Sequence, residues 1–189
     1  MADKIQFIKT SLPEVIIVEP RLFHDKRGFF METFNTEVYS DNGIKANFVQ
    51  DNHSRSSKNI LRGLHYQLNQ AQDKLIQVIR GKIFDVAVDI RFGSPNFGKW
   101  VGVELSEENH RQLFVPKGFA HGFCVLSDSV DVTYKCSDFY APNDEYGVLW
   151  SCPEVGVKWP VPNPVLSQKD ILYTSLSEIK KEHLPVYSN

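Results

Sequence analysis

Cysteine is scarce in this chain and poorly placed for bridges. Cys124, Cys136 and Cys152 are odd in number and form no CxxC pair, which argues against a disulfide framework and suits reduced thiols. Long apolar runs are missing as well. The longest aliphatic stretch, VIIV, is far too short to span a bilayer. The opening residues MADKIQFIKT lack the apolar centre of a signal peptide, so a cytoplasmic location and no membrane partner are expected. Neither sign of charge dominates: a formal net charge of −2 gives no general attraction to nucleic acid, and any anion site has to be built locally. There is no internal repeat, low-complexity tract or linker. A Gly-rich dinucleotide fingerprint, a phosphate loop and a Gly-x-Ser-x-Gly elbow are all absent, which disfavours a Rossmann enzyme or an esterase. The histidines, His24, His53, His65, His110, His121 and His183, include no HxH or HxxxH pair. A facial iron site built from two strand histidines and a carboxylate therefore has little support, and no metal is expected.

What is present is ordinary in bulk and specific in pattern. Hydrophobic content of 42% and charged content of 23% are those of a globular protein with a real core, read as one domain over residues 1–189. Short β-type runs dominate: VIIVEP, GFFMETF, NFVQDNH, ILRGLHYQ, KLIQVIR, KIFDVAVDI, WVGVEL, QLFVP, HGFCVL, VDVTYK and YGVLW, separated by RG, GSPNFG, PKG and APND. So many short strands predict an all-β sandwich, jelly roll or barrel. Helical signals are few. NTEVYSDNG reads as one short helix ending at Gly43. SEENHRQ offers a Ser106 cap, and SQKDILYTSLSEIKK has Ser167 and Asp170 spaced like a capping box.

Two strands are informative. In KIFDVAVDIR, Phe84, Val86, Val88 and Ile90 form one apolar face, while Asp85, Ala87 and Asp89 occupy the other. Solvent is the default for a face bearing two carboxylates, and a polar cavity inside a barrel is the alternative. In ILRGLHYQ, strict alternation puts Arg62 and His65 on opposite faces. If both serve one site, the pleat has to break between them, and Gly63 is the place for it. Arg27, Arg62, Lys74, His65, His121, Tyr134 and Asp170 are scattered among aromatics. Taken singly, each histidine reads as a hydrogen-bonded core residue and Asp170 as a helix start.

Longer motifs go further. DKRGFFMETFN, FVQDNHSRS, LRGLHYQ, KLIQVIRGKIFDVAVDIR, SPNFGKWVGVELS, FVPKGFAHGF, TYKCSDFY and LSQKD occur in one order over nearly the whole chain. In these runs the sequence resembles the dTDP-4-dehydrorhamnose 3,5-epimerases. The resemblance implies a cupin-type jelly roll with a few short helices, a homodimer, and a cofactor-free isomerase acting on a dTDP-sugar in L-rhamnose synthesis. It also implies roles: His65 as base, Asp170 as the carboxylate that orients it, Tyr134 as proton donor and Lys74 as the cation beside the carbonyl oxygen. Arg27, Glu32, Gln50, Asn52, Arg62, His121, Glu145 and Lys169 would surround the nucleotide and sugar, with Tyr140 against thymine, and Arg27 and Glu32 would come from the partner subunit. Departures are small: Tyr66 in place of a frequent Phe, and Ser151–Cys152 where an acidic pair is common. A sibling that inverts one carbon, or a cupin that only binds, are the competing expectations.

Overall fold

The computed structural model describes residues 4–188; the first three residues of the N-terminal stretch read above, and Asn189, lie outside the described residues. The strands are β1 (Gln6–Lys9), β2 (Ile16–Glu19), β3 (Leu22–Asp25), β4 (Gly28–Met31), β5 (Gln50–Ser57), β6 (Leu61–Gln67), β7 (Lys74–Arg80), β8 (Lys82–Asp89), β9 (Trp100–Ser106), β10 (Gln112–Val115), β11 (Phe119–Val125), β12 (Ser129–Cys136) and β13 (Glu145–Gly147). The helices are α1 (Thr36–Asp41) and α2 (Gln168–Ile171), with three short 3₁₀ turns. Each expected run contributes a strand, although YGVLW supplies only its first residues. β1 and β3, too short and mixed in pattern to stand out, were not among the expected runs. No helix among the described residues is long and apolar enough to cross a membrane.

The strands form a six-stranded sheet in the order β1-β2-β10-β7-β12-β5, a five-stranded sheet in the order β13-β6-β11-β8-β9, and a separate β3–β4 hairpin. Between the large sheets lies a core of Ile76, Val78, Leu113 and Val132 from one side and Ile83, Ala87, Val103 and Phe123 from the other. Fully burying such a side chain contributes about 1.5–3 kcal/mol. A second apolar cluster covers the outer face of the five-stranded sheet. Leu64, Tyr66, Val86 and Val88 pack there against Val148, Cys152, Val155, Leu176 and Leu184 of the C-terminal segment. This is the expected cupin-type sandwich, with one sheet buried on both faces.

That double burial overturns the solvent reading of β8. Its wholly apolar face points outward under the C-terminal segment, and the face carrying Asp85, Ala87 and Asp89 points into the sandwich. Both carboxylates are completely buried. A buried charge demands partners, and Asp89 has them: Arg91 in a two-pronged contact at 2.7 and 2.9 Å, and the Ser94 hydroxyl donating at 2.6 Å. Alternation alone cannot say which of two faces meets the other sheet when a late segment covers the second one.

The helix expectations divide. α1 forms as expected, with the Asn35 side chain accepting from the backbone of Glu37 and Val38. The Ser106 segment is not helical. The Ser106 hydroxyl accepts from the backbone N–H of Glu108 and Asn109, closing a turn that ends with His110 at φ 53°. The expected long C-terminal helix breaks into α2 and separate 3₁₀ turns.

Candidate active site

The break expected in β6 is present. At Gly63 φ is +118°, a region that favours glycine, and the β6–β11 register shifts between His121 and Phe123, opposite His65 and Arg62. Gly63 faces Gly122 of β11. A Cβ on Gly63 would lie 2.6 Å from the Gly122 Cα, and one on Gly122 would lie 2.6 Å from the Arg62 carbonyl oxygen. Two missing side chains thus let the strands approach, and the shifted register turns Arg62 and His65 toward the same cavity.

That cavity has two adjoining lobes. The larger, of about 610 Å³, is lined by Arg62, His65, Lys74, His121, Tyr134, Glu145, Lys169 and Asp170, among others. The smaller, of about 290 Å³, is lined by Gln50, Asn52 and Tyr140 and again by His65, Lys74, Tyr134 and Glu145. The four shared residues mark the junction. His65 enters from the five-stranded sheet; Lys74 on β7 and Tyr134 on β12 enter from the six-stranded sheet.

His65 Nε2 lies 2.5 Å from Asp170 Oδ1. Burial raises the pKa of Asp170, but the hydrogen bond and charge of His65, with help from Ser167 and Lys169, outweigh it and hold the carboxyl below the usual range. An ionised Asp170 can only accept, so Nε2 donates to it and, in the neutral imidazole, the lone pair falls on Nδ1. Glu145 Oε1 stands 3.9 Å from that Nδ1. The two expectations for Asp170 prove compatible. Its backbone N–H donates to the Ser167 hydroxyl at the start of α2, while its side chain, instead of closing the capping box, reaches the histidine. His121, the cross-strand neighbour of His65, has Nε2 2.7 Å from Asp85 Oδ1. It is both a hydrogen-bonded core histidine and a cavity wall.

Across the cavity, burial lowers the pKa of Lys74, opposed by the charges of Cys136, Glu145 and Asp85. Burial raises that of Tyr134, so its phenol keeps its proton. Around the rim, Arg62 Nε donates to the Ser56 hydroxyl at 2.9 Å. Lys169 and the Tyr140 hydroxyl both reach Glu145, at 2.6 and 2.8 Å. Burial pushes the Glu145 pKa up, yet these hydrogen bonds bring it below the ordinary value. Gln50 donates to Asn52 and accepts from the backbone N–H of Tyr140.

Arg27 and Glu32 are not brought to this cavity. Arg27 lies in the turn of the β3–β4 hairpin, 84% exposed and paired with Asp25, and Glu32 follows β4 at the surface. Sequence reasoning assigns no site role to two groups near the site. Asp85 reads as a carboxylate on a very apolar strand, with solvent as its default, whereas Tyr173 belongs to no motif.

Ionisable side chains from opposite sheets meet in one interior cavity of a cupin-type sandwich, an arrangement suited to acid–base chemistry. The family model described as dTDP-4-dehydrorhamnose 3,5-epimerase matches residues 9–178, and the chain belongs to that family. It is 59% identical over 166 residues to a dTDP-4-dehydrorhamnose 3,5-epimerase of Shigella flexneri, covering 87% of this chain and 92% of the relative. Among solved structures, a dTDP-6-deoxy-D-glucose-3,5-epimerase of Legionella pneumophila in complex with dTDP-4-keto-L-rhamnose superposes with a TM-score of 0.96 at 50% identity, covering 98% of this chain and all of that one. ChmJ, a 3′-monoepimerase of Streptomyces bikiniensis in complex with dTDP-quinovose, gives 0.89 at 32% identity, covering 95% and 92%.

Proposed function

We propose that the chain inverts C3 and C5 of dTDP-4-dehydro-6-deoxy-D-glucose through an enolate, with His65 as base and Tyr134 as acid. The product is dTDP-4-dehydro-L-rhamnose. Both hydrogens that exchange are adjacent to the C4 carbonyl, so removing either leaves charge delocalised onto the carbonyl oxygen. Lys74 stabilises that developing charge, and fixed charge in a water-poor site is worth far more than in bulk water. Asp170 keeps the proton of His65 on Nε2 and stabilises the imidazolium once Nδ1 has accepted the substrate's proton, as in other His–Asp pairs. Inversion requires a proton to leave one face and return on the other. The observation that carries this reading is the placement of His65, held by Asp170 of α2, on one sheet and of Tyr134 with Lys74 on the facing one.

Arg62 and Lys169 are assigned to the diphosphate end, where charge-assisted hydrogen bonds are strongest. Gln50, Asn52, His121 and Glu145 are assigned to the sugar and ribose, and Tyr140 to the thymine face. Arg27 and Glu32 complete the nucleotide pocket of a second copy in a homodimer. Supporting this, the hairpin that carries Arg27 also exposes Phe23, Phe29 and Phe30, an apolar patch suited to an interface.

The test is solvent deuterium incorporation into dTDP-4-keto-6-deoxyglucose, followed at both carbons by NMR. Deuterium at C3 and C5 with inverted product is expected. Exchange at one carbon alone would favour a single-centre epimerase, and binding without exchange would favour a cupin that only binds.

A further inference from the structure

Tyr173 lies just beyond α2, and its ring stands edge-on to that of His65, with centroids 5.7 Å apart and planes at 68°. The ring also presses on Gly147, where a Cβ would come within 2.3 Å of it. Gly147 is the cross-strand partner of His65 in the β13–β6 pair. The slot left by that missing side chain is therefore what seats the tyrosine against the histidine. The Tyr173 hydroxyl is buried and has no hydrogen-bond partner among the described residues, and Tyr173 is not among the residues that line either lobe.

We infer that Tyr173 is a positioning residue whose ring locks the orientation of the His65 imidazole. The terminal torsion of histidine is broad, and the Asp170 contact anchors the ring at one atom only, leaving rotation about that anchor open. The edge of Tyr173 blocks it and keeps Nδ1 aimed at the junction of the two lobes. A reacting group displaced by about 1 Å can cost on the order of 10²-fold in rate, which is the scale of the benefit. The inference rests on the reading of His65 as the base.

The test compares Tyr173→Leu, which removes the flat ring, with Tyr173→Phe, which keeps it. In the free enzyme, ¹⁵N NMR of His65 should report one fixed Nε2–H tautomer for wild type and Tyr173→Phe, and averaging for Tyr173→Leu. The leucine variant should lose kcat by roughly 10–100-fold with dTDP affinity within about threefold of wild type, and the phenylalanine variant should restore turnover. Gly147→Ala, which displaces the ring without removing it, supplies the same readouts where Tyr173→Leu does not fold. A fixed tautomer with wild-type kcat in Tyr173→Leu or Gly147→Ala overturns the inference, as does a Tyr173→Phe loss equal to that of leucine. His65→Ala turning over at the wild-type rate would instead overturn the base assignment and leave the tautomer result standing.

Discussion

His65 and His121 sit on neighbouring strands and meet Asp170 and Asp85 at 2.5 and 2.7 Å, yet their surroundings divide the work. The His65 side chain is 25% exposed and that of His121 10%, over carboxylates exposed by 3% and 0%. The first pair opens onto the junction of the cavity lobes and takes its carboxylate from α2, a separate segment. The second takes its carboxylate from the adjacent strand β8, and Asp85 Oδ2 is left without a partner among the described residues. A third pair, His53–Asp131, has its histidine 60% exposed over a carboxylate that is only 9% exposed and is shared with Arg55. Similar distances therefore say little about role. What differs is access to a ligand and the cost of removing one partner.

The largest effect should come from breaking the first pair. His65→Ala is expected to lower kcat by about 10²–10⁴-fold with a much smaller change in dTDP affinity, and Asp170→Ala should fall in the same range. The double variant should lose little more than His65→Ala, because groups acting as a unit are not additive. Fully additive losses in a steady-state comparison would show that the two do not function as a pair.

Arg62 sharpens the contrast along one strand, since it shares the cavity with His65 only because of the break at Gly63. Arg62→Ala should raise KM with little change in kcat, as expected for contacts made equally in ground and transition states. Titration with dTDP should show binding weakened by about 1.5–3 kcal/mol, the scale of hydrogen bonds to charged groups. Unchanged dTDP affinity would remove Arg62 from the phosphate site.

In the second pair the main loss should be stability. Asp85→Asn puts an amide where a carboxyl group meets His121 inside a core, and chemical denaturation should show about 1–3 kcal/mol of destabilisation. Its kcat should fall far less than that of Asp170→Asn. Equal losses of turnover with unchanged stability would erase the distinction between the pairs.

The third pair, whose basic partners are exposed, should give the smallest and most pH-dependent effect. Arg55 leads the causes that lower the Asp131 pKa from 3.8 to about 2. A carboxyl whose pKa is depressed on folding stabilises the native state above its unfolded value, and that contribution fades as pH falls from about 4 toward 2. Asp131→Asn should therefore lower Tm slightly at neutral pH and leave it unchanged near pH 2, by thermal melts across that range. An equal change at both ends would mean that packing and not charge is involved.

The sequence by itself determined a good deal of this protein. Alternation and turn residues marked the central strands, the run NTEVYSDNG marked α1, and the ordered motifs pointed to the family before any fold was seen. It also located the break at Gly63, because a glycine between an arginine and a histidine has a local steric meaning. Only the tertiary structure decided which face of β8 is interior, since that depends on the C-terminal segment covering the other face. It also supplied the geometry by which Asp170 reaches a histidine 105 positions earlier in the chain, a pairing that the family motifs implied but no spacing encodes. Tyr173 became visible only through the slot at Gly147. Local patterns reflect backbone sterics and solvent preference, which act within a few residues. A site that inverts a carbon needs groups on opposite walls, and that opposition exists only after two sheets have packed.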